Sequence, residues 1–114
     1  MHEVSLVRGV FRSLEEEFNS DQLAKMQTIR MKIGLLSNVE PVLMQNAFNA
    51  VKEDNPQYAN VNLDIESIPI EVHCDICGKD SVVSNYRFVC DCGIPTNNVV
   101  KGEELLIHQV EFLD

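Results

Sequence analysis

The chain has 114 residues, 45% of them hydrophobic, with a net charge of −9 and a pI near 4.6. That length allows one domain, or a domain with a small metal-stapled lobe, and the acidity argues against a nucleic-acid reader, whose phosphates would repel it. No apolar run approaches the roughly 18 residues of a membrane span. The opening stretch, broken by Arg8, Arg12 and Glu15-Glu16-Glu17, lacks the continuous apolar core of a secretory signal.

A first helix is expected from Val4 to Phe18, because Val4, Val7, Phe11, Leu14 and Phe18 form one apolar stripe at steps of three and four. Asn19-Ser20-Asp21 ends it. Ile29, Met31, Ile33 and Leu35 then alternate with Arg30, Lys32 and Gly34, the pattern of a strand with one buried face. A second helix opens near Pro41, whose missing N–H is harmless in a first turn, buries Leu43, Met44, Ala47, Phe48 and Val51, and stops at Asn55-Pro56. Val61, Leu63 and Ile65 alternate, and Ile68, Ile70 and Val72 alternate with shifted parity, so a bulge or bend is expected around Glu66-Ser67, between two strand segments. All the cysteines follow, and Glu103 to Phe112 reads as a last strand of mixed parity. The expected fold is α+β: two helices packed on a small mixed three-stranded sheet (residues 1–72 and 103–114), with an inserted zinc-ribbon-like lobe (residues 73–102).

The cysteines are spaced Cys74-x-x-Cys77, twelve residues, then Cys90-x-Cys92, each pair followed by glycine, Gly78 and Gly93. Two close pairs on separate turns supply the four soft ligands of a tetrahedral Zn(II) site, and a closed set of four marks it as structural. The glycines let the chain turn sharply beneath the metal so that N–H groups point at the thiolates. Few large apolar residues lie between the pairs, so metal binding and folding are coupled there. A redox dithiol, a catalytic zinc and an iron–sulfur cluster are the competing readings. In the cytoplasm, where this chain is expected, thiols stay reduced and four cysteines favour metal over disulfides.

The chain begins Met1-His2-Glu3. A bulky second residue protects Met1 from aminopeptidase, which leaves a free amine. That amine, the His2 amide nitrogen and the His2 Nδ1 can close adjoining five- and six-membered rings on one metal. Planar nitrogen donors suit Ni(II) or Cu(II) and not zinc. Alone, a histidine at position 2 is ordinarily a solvated terminal side chain. The zinc-protease motif H-E-x-x-H is absent, because position 6 is Leu6.

Together these features resemble the HypA/HybF family of hydrogenase nickel-incorporation proteins. The resemblance runs from Met1-His2-Glu3 through the segment ANVNLDIESIPI (Ala59 to Ile70), CDICG and VCDCG to the closing KGEELLI. It implies nickel held at the N-terminus by His2, with Met1 and Glu3 contributing backbone nitrogens, and zinc on Cys74, Cys77, Cys90 and Cys92. It also implies work with the nickel-binding GTPase HypB and insertion of nickel into the hydrogenase large subunit, with urease maturation proteins as partners of some members. The family's second pair is usually C-x-x-C, and Cys90-Asp91-Cys92 is one residue shorter.

His73 and His108 read as a flanking residue and a strand histidine, each also a candidate fourth nickel ligand. No G-x-x-x-x-G-K phosphate loop and no nucleophile–base pair occurs, so no enzyme is expected. The alternative function is a zinc-ribbon adaptor that binds a protein partner and never handles nickel.

Overall fold

The computed structural model describes residues 2–114, the side chain of His2 excepted. Helix α1 spans His2–Glu17 and buries Val7, Phe11 and Leu14 of the expected stripe. Asn19-Ser20-Asp21 is both a stop and a start: Asn19 caps a short second helix, α2 (Ser20–Ala24). Its Oδ1 accepts the Gln22 N–H at 2.8 Å, while Gln22 Oε1 accepts the Asn19 N–H at 2.9 Å. Strand β1 (Met26–Gly34) follows, then α3 (Pro41–Glu53), a 3₁₀ turn (Pro56–Tyr58) and β2 (Asn62–Ile68). β1 and β2 pair in parallel, which a crossover helix such as α3 makes possible. The last strand, β6 (Leu105–Phe112), runs antiparallel on the other edge of β1. The sheet is therefore mixed and three-stranded, in the order β2-β1-β6.

The core lies between this sheet and the helices, where Ile29, Met31 and Ile33 of β1 meet Met44, Phe48 and Val51 of α3. Phe11 stacks on Phe48 and Tyr58 with ring centroids 5.4 and 4.5 Å apart. Of the two parity shifts seen in the sequence, the first marks no bulge or bend, because β2 pairs with β1 in unbroken register through Glu66 and Ser67 to Ile68, and the break comes only after it. Pro69 has no N–H to extend the ladder, so β2 ends at Ile68, and the next segment joins a different sheet as β3 (Glu71–His73). In β6, Met31 faces Ile107 and Arg30 faces Gln109, so His108 is an extra residue, a bulge that flips the alternation.

β3 is the centre of a second three-stranded sheet, between β4 (Asp80–Val82) and β5 (Val99–Lys101), both antiparallel to it. A separate small cluster of Ile70, Val72 and Val83 supports it. Strands β4 and β5 are too short to show a hydrophobic period, which is why neither was expected. The two sheets meet where three chain segments cross. The Gly34 N–H donates to the Glu104 carbonyl (2.8 Å), Leu35 N–H to Ile68 (3.1 Å) and Leu36 N–H to Gly102 (2.7 Å). Helix α1 runs alongside β6. Ser5 and Leu6 border Leu105 and Leu106 at the strand's start, and Phe18 packs edge-on against Phe112 at its end. The first turn of α1 therefore lies at the end of the sheet from which the second sheet departs.

Candidate metal centre

The second sheet delivers both cysteine pairs to one point. Cys74 directly follows β3, and the turn from Cys74 to Gly78 returns the chain into β4. In that turn the Gly78 N–H donates to the Cys74 carbonyl at 2.8 Å and the Cys74 N–H donates to Lys79 at 3.0 Å. The second pair repeats the device: the Gly93 N–H donates to the Cys90 carbonyl at 2.8 Å and the Cys90 N–H to Ile94 at 2.9 Å. Gly78 and Gly93 sit at φ +76° and +95°, the left-handed region where a side chain is strained, as their position after each pair predicts.

All four Sγ atoms lie within 4.8 Å of one another. Across the pairs, Cys74 and Cys92 approach to 3.8 Å and Cys77 and Cys90 to 3.4 Å. A tetrahedral ion with metal–sulfur bonds of about 2.3 Å sets its sulfurs about 3.8 Å apart, so the thiols already stand at the spacing such an ion requires. The short Cys90-x-Cys92 pair does not prevent this convergence. Cys74 and Cys90 are buried, whereas Cys77 and Cys92 face solvent.

Electrostatics within the set are uneven. The Cys92 backbone N–H and then the Ser81 hydroxyl, both directed at its sulfur, lower the Cys90 thiol to about 6. Cys92 receives the Ile94 N–H, which lowers it, but the crowded thiols, Cys90 foremost, and burial together push it up to about 12. Cys90 is thus the readier of the two to ionise and Cys92 the more reluctant. A bound dication is what makes four adjacent thiolates favourable.

His73, next to Cys74, is held by the Asp80 carboxylate, 2.7 Å from its Nδ1. His108 lines a hollow with Ser13, Leu14, Glu17 and Phe18, beside the far half of α1. At the helical rise, Ser13 lies about 15 Å along the axis from Glu3. His108 is thus not gathered with the N-terminal residues. Glu3 occupies the first turn of α1, while Met1 and the His2 side chain lie outside the described residues. Ser81, buried against Cys90, carries no signal in the sequence, since a single serine between charged and apolar neighbours has no motif.

A family model described as "Hydrogenase/urease nickel incorporation, metallochaperone, hypA" matches residues 1–112. The chain belongs to the HypA family. The hydrogenase maturation factor HypA of Rhodopseudomonas palustris is 36% identical over 112 residues, covering 97% of this chain and 98% of the relative. That of Shewanella baltica is 34% identical over 114 residues, covering 98% and 96%. Among solved structures, the solution structure of a HypA protein superposes with a TM-score of 0.68 at 25% identity, covering 99% of this chain and 97% of the other. The Ni metallochaperone HypA from Helicobacter pylori superposes at 0.63 with 24% identity, covering 97% of each, which shows the same fold. HypA proteins are metallochaperones and maturation factors, not enzymes, and this chain is one of that family. No helix among the described residues is long and apolar enough to cross a membrane.

Proposed function

We propose that this chain binds Ni(II) through Met1, His2 and Glu3 and delivers it, in the cytoplasm, to the large subunit of a [NiFe] hydrogenase. Zinc on Cys74, Cys77, Cys90 and Cys92 serves as the structural metal of a lobe spanning residues 73–102. The observation that carries the nickel assignment is that α1 begins at His2 in a chain matched to HypA from residue 1. The N–H groups of a helix's first turn have no partner within the helix. The His2 and Glu3 amides can therefore lose their protons to a metal without breaking a helical hydrogen bond. The positive end of the helix opposes a cation there; the deprotonated amides and the Glu3 carboxylate offset it.

Such a site is exposed, and its nitrogens can be exchanged one at a time for those of an acceptor. Release by ligand exchange follows, with the nickel-binding GTPase HypB as the working partner and urease maturation proteins as a second class of acceptor. Because the amine, amide and imidazole must be deprotonated to bind, nickel affinity falls as pH falls. The zinc, once bound, neutralises part of the tetrathiolate charge and fixes the two turns; the chain's own part is to hold those turns on β3 and β4.

The test is His2→Gln in the untagged chain. Glutamine is bulky enough to preserve Met1, which alanine at position 2 would not be, so the variant removes the imidazole alone. Equilibrium dialysis should show nickel binding lost with zinc content and helical circular dichroism unchanged. Stoichiometric nickel retained by His2→Gln would sink the proposal. The adaptor reading separates cleanly, because an N-terminal extension that consumes the Met1 amine should abolish nickel binding and leave an adaptor untouched.

A further inference from the structure

Ser81 is buried, only 4% exposed, and with Tyr58 is one of two buried residues among those described that carry a hydroxyl. A hydroxyl shut away from water needs partners, and this one has two. Its Oγ accepts the Asp91 backbone N–H at 3.0 Å, and its O–H donates to Cys90 Sγ at 3.6 Å. The residue sits at the middle of β4, paired with the fully buried Val72 of β3, so the sheet fixes where the hydroxyl stands.

The four sulfurs have different needs. Cys77 and Cys92 are exposed, where solvent can reach the sulfur, whereas Cys74 and Cys90 are buried. Four thiolates around a dication keep excess negative charge on sulfur, and a buried sulfur must draw its donors from the protein. Cys90 draws two, the Cys92 N–H at 3.4 Å and the Ser81 hydroxyl. With a single residue between Cys90 and Cys92, the turn has little backbone to spare. The amide of that residue, Asp91, is tied to Ser81 rather than to a sulfur.

We propose that Ser81 is a positioning residue of the metal centre, tying the short Cys90-Asp91-Cys92 turn to β4 and donating to the Cys90 thiolate so that zinc is held more tightly. The proposal rests on the four-cysteine zinc reading given above. Wild type, Ser81→Ala and Ser81→Thr, as untagged full chains, are loaded with zinc and titrated with a chromophoric chelator. Ser81→Ala should bind zinc about 10- to 100-fold more weakly, and Ser81→Thr, which keeps the hydroxyl, should stay near wild type. With Co(II) in place of zinc, the thiolate-to-cobalt charge-transfer band should move to lower energy in Ser81→Ala and not in Ser81→Thr. Loss of packing alone would not shift that band. In zinc-loaded wild type the Asp91 amide should exchange slowly with solvent, a reading that does not depend on any variant folding. Wild-type affinity and an unmoved band in Ser81→Ala, or fast exchange at Asp91, would overturn the proposal. A wild-type chain that takes up no zinc would instead overturn the four-cysteine reading beneath it.

Discussion

Tyr58 brings a hydroxyl into the core beside Phe11 and places it 2.5 Å from the Glu15 carboxylate, to which it donates. Burial first, then the hydrogen bond to Glu15 and its negative charge, raise the phenol from 10.0 to about 12. A group whose folded pKa is raised contributes stability in full below its unfolded pKa and loses it as pH climbs through the folded one. The Tyr58 contribution should thus be whole at neutral pH and disappear from pH 10 through about 12. Tyr58→Phe should cost about 1–2 kcal/mol at pH 7. Urea denaturation as a function of pH should show the gap between wild type and variant closing over that alkaline window. A gap independent of pH would mean the hydroxyl's protonation is not coupled to folding. At this scale the sequence was legible where chemistry repeats at short spacing, as in the cysteine pairs and the glycines behind them. It was silent on Tyr58–Glu15 and Ser81–Asp91, whose partners lie far apart in the chain and carry no shared motif.

Elements meet most tightly at the crossing between the two sheets. A Cβ on Gly34 would stand 2.0 Å from the Gly102 carbonyl oxygen, and one on Gly102, itself at φ +117°, would stand 2.9 Å from Ile70 Cα. Both obstacles are backbone and cannot swing aside, so Gly34→Ala should destabilise the chain by about 3 kcal/mol or more. Gly9 is the opposite case: it sits inside α1 with nothing within 4 Å of where its Cβ would be. Gly9→Ala should therefore stabilise by up to about 1 kcal/mol, the helix-propensity difference. Thermal unfolding of the two variants checks both signs, and a neutral Gly34→Ala would mean the segments do not cross as closely as described. The α1, β1 and α3 elements were readable because each repeats its apolar period long enough to be seen. The second sheet was not, because β3, β4 and β5 are three residues each and exist by pairing with one another. The parity shift around Glu66-Ser67 was visible, but it lies inside β2; the change of sheet comes after Ile68, a fact that only long-range pairing defines.

The whole molecule is elongated, with extents of 52 × 29 × 19 Å and a radius of gyration of 17.5 Å, against about 13 Å for a compact chain of this length. Its larger core contains most of the buried side chains, and the smaller holds Ile70, Val72 and Val83 with a few half-buried neighbours. So small a cluster cannot hold a sheet unaided, and a metal that cross-links its two turns supplies what packing does not. Stripping zinc with a strong chelator should therefore release amide protection across residues 71–101 while β1, β2 and β6 stay protected. Uniform loss across both sheets would show instead that the two fold as one unit. The same geometry sets α1's first turn at the end of the larger sheet from which the second sheet departs. The most direct measurement is a Ni(II) titration of the untagged, zinc-loaded chain followed by absorption spectroscopy, with His2→Gln alongside. A planar, nitrogen-rich nickel band that saturates at one metal per chain and vanishes in the variant is the predicted result. No band in wild type, or one that survives in His2→Gln, would contradict a nickel site at the N-terminus and leave a zinc-bearing adaptor in its place.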